Sequence, residues 1–121
     1  MGHINITVGF KGDRWVKTRA LVDTGATYRL LPRGLAYRAG LDAARRTYRV
    51  RLANGKSLKV DGDIGAVRID GRQAPATILI GEADEPIVGV ETLEALGVRL
   101  DMKRGTIHPT RKYAVRLGGY R

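Results

Sequence analysis

Apolar and polar residues alternate along most of the chain, and this period of two is typical of half-buried β-strands. In the first segment the polar residues His3, Asn5 and Thr7 alternate with Ile4, Ile6, Val8 and Phe10. The polar residues 11–14 then predict a turn, and residues 15–22 predict a second strand that runs antiparallel to the first. The chain therefore opens with a predicted β-hairpin.

The same alternation returns after residue 46. Strands are predicted over residues 47–52 and 56–60, and Asn54-Gly55 between them favours a two-residue type I′ turn. Later strands are predicted over residues 64–69, 76–80, 98–102, 106–108 and 113–117. Two short helices are predicted at 35–39, between Pro32 and Gly40, and at 91–96, before Gly97.

Both predicted helices follow a similar segment, in which an apolar strand leads into a turn of small residues. Leu21-Val22-Asp23-Thr24-Gly25 precedes the first helix, and Ile87-Val88-Gly89 precedes the second. This likeness is consistent with two halves related by a local pseudo-twofold axis inside one small β barrel. We therefore predict an all-β fold with one or two short helices, formed by a single domain over residues 1–121 with a basic tail at about 109–121.

Composition removes several classes of enzyme. The chain has no cysteine, which excludes disulfides, thiol nucleophiles and cysteine zinc sites. Histidine occurs only at His3 and His108, so we expect no metal site. The one serine, Ser57, lacks the second glycine of a nucleophile elbow, so a serine hydrolase is not expected.

Asp23 is the residue with the strongest chemical signal. It follows the apolar segment Ala20-Leu21-Val22 and precedes Thr24-Gly25, so it is expected at the end of a buried strand. Glycine there permits close approach of backbone or ligand. Peptide hydrolysis by carboxylates needs two of them sharing one proton. Because the chain has one such aspartate, the second would have to come from a twin chain across a twofold axis.

The order of these motifs resembles the retropepsin-type aspartic proteases, which are the retroviral proteases and their single-domain relatives. Residues 20–27 match the active-site motif of that family, Asn54-Gly55 lies where the family has a hairpin flap, and Ile87-Val88-Gly89 matches the segment that leads into its helix. The resemblance covers about residues 4–108. It implies a small closed acid-protease barrel and an endopeptidase that acts as a homodimer without a cofactor.

The resemblance also implies roles for individual residues. Asp23 would be the catalytic carboxylate, Thr24 would hold the two active-site loops together, and Gly25 would admit substrate and water. Contacts with a peptide or protein substrate are expected from Ala26, Ala53, Asn54, Gly55 and Val88. Of these, residues 53–55 would form the flap tip.

The charge of the chain leaves an alternative function open. Lysine and arginine number 22 against 12 acidic residues, giving a net charge of +10. The alternative is a non-catalytic module of the same fold that binds an acidic peptide or nucleic acid. We expect weak, non-specific binding to nucleic acid at most. The sequence has no leader-like start and no membrane-length apolar run, so a cytoplasmic protein without membrane contact is expected.

Overall fold

The structure is a computed structural model that describes residues 3–23, 26, 28–51 and 54–110. Within these residues it contains nine strands and two short helices. The strands are β1 (His3–Lys11), β2 (Trp15–Asp23), β3 (Arg29–Pro32), β4 (Arg46–Arg51), β5 (Ser57–Ile69), β6 (Arg72–Gly81), β7 (Ile87–Gly89), β8 (Val98–Asp101) and β9 (Thr106–Pro109). The helices are α1 (Arg33–Arg38) and α2 (Val90–Ala95).

Six of the strands close into a barrel. Neighbouring strands follow the order β1-β2-β7-β3-β6-β5, and β5 pairs with β1 to complete the circuit. The prediction of an all-β fold with a small closed barrel is confirmed. β4 pairs with β5 outside the circuit, and β8 and β9 form a separate two-stranded sheet.

The alternation in the sequence explains the core. In β1 the residues Ile6, Val8 and Phe10 are buried while Asn5 and Thr7 are exposed. The other strands and both helices contribute apolar residues to the same cluster. Its largest fully buried members include Phe10, Leu31, Ile69, Ile78, Ile80 and Leu93. This burial is the main stabilising contribution to the barrel.

Most predicted elements are confirmed, with boundaries that shift by one or two residues, but β6 begins four residues before the strand predicted over 76–80, and β3 was not predicted as a strand. The helices begin at Arg33 and Val90, slightly before the predicted positions. The predicted strands 56–60 and 64–69 are one continuous strand, β5. The strand predicted over 113–117 and most of the predicted basic tail lie outside the described residues. No helix of the described residues is long and apolar enough to span a membrane.

Candidate functional site

The site is built where three strands of the barrel lie side by side. β7 runs parallel to β2, with Val22 opposite Val88 and Asp23 opposite Gly89. On its other edge β7 pairs antiparallel with β3. Since β2 and β3 flank β7, the chain must cross the end of β7 to pass from Asp23 to Arg29. Asp23 therefore ends its strand at a crossing of two backbone segments.

Gly89 allows this crossing because it has no side chain. A Cβ atom built on Gly89 would lie 2.4 Å from the carbonyl oxygen of Ala26 and 2.9 Å from that of Tyr28. Hydrogen bonds fix the same segment: the Gly89 N–H donates to the Tyr28 carbonyl at 2.8 Å, and the Ala26 N–H donates to the Asp23 carbonyl at 3.0 Å. The position of Asp23 is thus set by direct backbone contact with β7.

The predicted site residues near this crossing differ in how deeply they are buried. Asp23 is half-buried, and Ala26 is buried beside it. Thr24 and Gly25 lie outside the described residues. Val88 is fully buried and packs in the barrel core, so we assign its side chain to packing. Its half-buried neighbour Ile87 is the more exposed residue of this segment.

A cavity of about 330 Å³ lies next to this segment, beneath the hairpin formed by β4 and β5. Tyr28 and Leu30 line it from the chain that follows Asp23, and Leu79 and Gly81 line it from β6. The hairpin closes it with Val50, Leu58 and Val60. Two larger cavities, of about 960 and 940 Å³, lie against Trp15. None of the predicted site residues that the structure describes lines any of these three cavities, and the smaller one is distinguished by its position between the hairpin and the chain that follows Asp23.

Charged residues mark one end of the cavity beneath the hairpin. Arg33 forms ion pairs with Asp61 at 3.2 Å and with Glu82 at 3.6 Å. All three side chains are largely exposed, so these pairs contribute little to stability. The hairpin strands therefore line the cavity with the apolar residues Val50, Leu58 and Val60 and with the charged residues Lys59 and Asp61, and further charges lie at the end formed by α1 and residue 82.

The tip of the hairpin differs from the predicted turn. The last described pair of the ladder is Arg51 opposite Ser57, which leaves five residues in the loop. A type I′ turn centred on Asn54-Gly55 would leave an even number between paired residues, so that turn type is wrong. The hairpin itself is confirmed. Gly55 has a φ of +89°, and Asn54 Oδ1 accepts the N–H of Lys56 at 2.9 Å. Ala53, the third predicted tip residue, lies outside the described residues.

Sequence reasoning missed Arg29, whose side chain connects β3 to α2 and β6 next to the site. Its Nε donates to Thr92 Oγ1 of α2 at 2.8 Å, and a terminal nitrogen donates to the Thr77 carbonyl of β6 at 2.7 Å. Burial lowers the pKa of the Arg29 guanidinium below its usual value, and the negative charge of Glu91 partly offsets this. Because these partners lie far away in sequence, the pattern around Arg29 gave no signal for them.

Asp63 was also missed, because it sits in a polar stretch that resembled a break between strands. Its carboxylate is buried and accepts the N–H groups of Asp42 at 2.9 Å and Ile64 at 2.8 Å. Arg45 approaches it at 3.4 Å. Asp63 thus ties the turn before β4 to the point where β5 leaves the barrel. The described residues contain no group of three or more histidine or acidic side chains that could hold a metal ion.

Comparison with known proteins agrees with this architecture. The model of one protein family, described as gag-polyprotein putative aspartyl protease, matches residues 7–95. The match includes all of β2 with Asp23 at its end, the β4–β5 hairpin and the segment around Gly89. No curated protein matches the chain. With close to three-quarters of its length matched, the chain belongs to this retropepsin-like aspartyl protease family.

Proposed function

We propose that the protein is an aspartic endopeptidase whose catalytic pair is formed by the Asp23 carboxylates of two identical chains. The observation that carries this proposal is the position of Asp23. It ends a barrel strand, is held by backbone contact with Gly89, and lies five residues before Tyr28, the first residue of this segment that lines the cavity under the hairpin. An acid held this rigidly beside a cleft can act on a bound peptide.

The second carboxylate has to come from another chain. Among the described residues, the one fully buried carboxylate is that of Asp63. That group already accepts two backbone N–H groups and lies against Arg45, so its oxygens are occupied. A twofold axis beside Asp23 would bring two equivalent carboxylates together. Homodimerisation is therefore part of the proposal.

The proposed reaction uses one shared proton. One Asp23 carboxylate accepts a proton from water as that water attacks the peptide carbonyl carbon, while the protonated partner donates a hydrogen bond to the carbonyl oxygen. The hairpin would cover an extended peptide and exclude bulk water. Val50 and Leu58 on its inner side suit an apolar side chain of the substrate.

A comparison of wild type with Asp23→Asn tests the proposal. Both proteins are incubated with a library of denatured proteins, and new peptide ends are identified by mass spectrometry. We expect cleavage by wild type and none by Asp23→Asn. The control Asp70→Asn removes a carboxylate from an exposed turn with a positive φ that asparagine tolerates, so its activity should stay normal.

Dilution provides a second test. If each chain supplies half of the catalytic pair, activity per chain should fall as the dimer dissociates. Sedimentation at the same concentrations measures the dimer. Constant activity per chain in a sample that has become monomeric would contradict the shared site, and undiminished cleavage by Asp23→Asn would contradict the catalytic role of Asp23.

A further inference from the structure

The β4–β5 hairpin has two chemically different faces. Cross-strand partners share a face, and the pairs Tyr48–Val60 and Val50–Leu58 place four apolar residues on one face, of which Val50, Leu58 and Val60 line the cavity. The alternating pairs Arg49–Lys59 and Arg51–Ser57 belong to the other side of the sheet, and of these four residues Lys59 also lines the edge of the cavity. Arg49, Arg51 and Lys59 are exposed, and we call these three residues the basic face.

The basic face has uncompensated positive charge. Arg49 lies directly opposite Lys59, and like charges in that position destabilise a sheet. None of the three cations forms an ion pair with a described residue, whereas Arg33, Arg45 and Arg104 each do. Asp61, the next acidic residue along β5, lines the cavity and is already paired with Arg33 at 3.2 Å. An anionic partner would relieve the repulsion.

We infer that the basic face binds an acidic segment of the polypeptide substrate, outside the part of the substrate that is cleaved. This inference rests on the proposed function. A peptide in the cavity contacts Val50 and Leu58, and the same two strands carry Arg49 and Arg51 away from the cavity and Lys59 at its edge. Among the described residues no strand pairs with the second edge of β4, so a substrate chain that leaves the cavity there passes directly beside Arg49 and Arg51.

The chemistry of the face favours carboxylates of a polypeptide over a nucleic acid. Proteins that bind single-stranded nucleic acid combine cations with exposed aromatic rings on which bases stack. The aromatic residue of this hairpin, Tyr48, is on the opposite face, and its ring lies over Gly62, where an added Cβ would be 2.8 Å from it. The basic face thus offers charge without a stacking surface.

Binding can be measured separately from cleavage by using Asp23→Asn as the background. The probes are a fluorescent Glu-rich peptide, the same peptide with glutamine in place of glutamate, and a single-stranded oligothymidine. The test variant adds Arg49→Gln and Lys59→Gln. The matched control adds Lys17→Gln and Arg99→Gln, which remove the same charge from exposed positions on β2 and β8.

We expect the Glu-rich peptide to bind at low salt and the test variant to weaken that binding by about five- to tenfold, with little change in the control. Removing the Arg49–Lys59 repulsion should leave the urea midpoint equal or higher, which shows that the variant is folded. Equal losses in test variant and control would overturn the inference. Tighter binding of oligothymidine than of the Glu-rich peptide at the same face would also overturn it.

Cleavage then links the face to the substrate. Two substrates share one cleavable segment and differ in a glutamate or glutamine extension. We expect the Glu extension to raise kcat/KM by about five- to tenfold in the otherwise wild-type enzyme and to have no effect when Arg49→Gln and Lys59→Gln are present. Equal kcat/KM values for the two substrates in the wild-type enzyme would overturn the inference. Binding of the Glu-rich peptide without cleavage of any substrate would refute the peptidase proposal but would still support binding of an acidic peptide by the basic face.

Discussion

Replacing Gly89 with alanine should disturb the backbone crossing that positions Asp23. Gly89 has an extended conformation that alanine also adopts, so the effect of the added methyl group is steric. Its Cβ would lie 2.4 Å from the Ala26 carbonyl oxygen, and ordinary contact begins at 3.4 Å. The two segments must therefore separate by about 1 Å. The atoms nearest to the added Cβ belong to the backbone of Ala26 and Tyr28, so no side-chain rotation relieves the contact.

Two consequences of this movement can be estimated. Overpacking of this kind destabilises a protein by about 1–3 kcal/mol. A displacement of about 1 Å at a catalytic group lowers the rate by about 100-fold. We therefore expect Gly89→Ala to lower the free energy of unfolding, measured by urea denaturation at fixed protein concentration. Peptide cleavage by the fraction that remains folded should fall by about 100-fold.

Gly34→Ala is the matched control for this experiment. Gly34 lies in α1, is exposed, and has no atom within 4 Å of the position of an added Cβ. Alanine in a helix is more stable than glycine by about 0.5–1 kcal/mol, so this variant should be slightly more stable and fully active. If Gly89→Ala behaved like Gly34→Ala in both assays, the proposed crossing would be wrong.

Three further results are expected. Gly55→Val should lower cleavage and leave the protein folded, because a β-branched residue resists the φ of +89° at the hairpin tip. Gly55→Asn should be tolerated better, because asparagine adopts a positive φ more readily. Equal activities for the two variants in a peptide assay would argue against a role for the tip. Arg29→Met should lower the free energy of unfolding in urea by about 1–3 kcal/mol, since Thr77 and Thr92 lose a charged hydrogen-bond donor. Arg29→Lys keeps the positive charge and should lower the free energy of unfolding by less. An unchanged urea midpoint in Arg29→Met would be the contrary result. The cleavage rate should be a bell-shaped function of pH with its maximum below neutrality, because the Asp23 pair is active with one shared proton; a rate that rises steadily from acid to alkaline pH would contradict it.

The strands and the main site motif could be predicted because both depend on local pattern. Period-two alternation identified β1, β2 and the arms of the hairpin, and burial in the barrel follows that alternation closely. The apolar approach to Asp23 likewise predicted a buried strand with a carboxylate at its end. The parallel pairing of β2 with β7 places the two similar segments of the sequence side by side.

Features that depend on distant partners could not be predicted in this way. The stretch Asp61-Gly62-Asp63 looked like a break, yet β5 continues through it. Gly62 makes room for the ring of Tyr48, and buried Asp63 is satisfied by N–H groups that include that of Asp42. Without its hydrogen bonds, burial of such a carboxylate would be strongly unfavourable. Only the folded chain brings these partners together.

The error at the hairpin tip has a different origin, because the sequence contained the information needed to avoid it. Cross-strand partners share a face, and the apolar residues of both arms have even numbers: Tyr48, Val50, Leu58 and Val60. Paired positions must then add up to an even number, whereas a two-residue turn at Asn54-Gly55 makes the sum odd. That register would place Val50 opposite Lys59 and would mix charged with apolar residues on each face.

The pairing of apolar faces therefore outweighs the local turn preference of Asn54-Gly55, and the observed register follows from it. The same register puts Arg49 opposite Lys59. A slip by one residue would remove that repulsion and would also turn Val50 or Leu58 away from the cavity. The sheet accepts an unfavourable charge pair, on the order of 0.2–1 kcal/mol, to keep its apolar residues together over the cavity. The cavity lining and the basic face are thus two results of one choice of register.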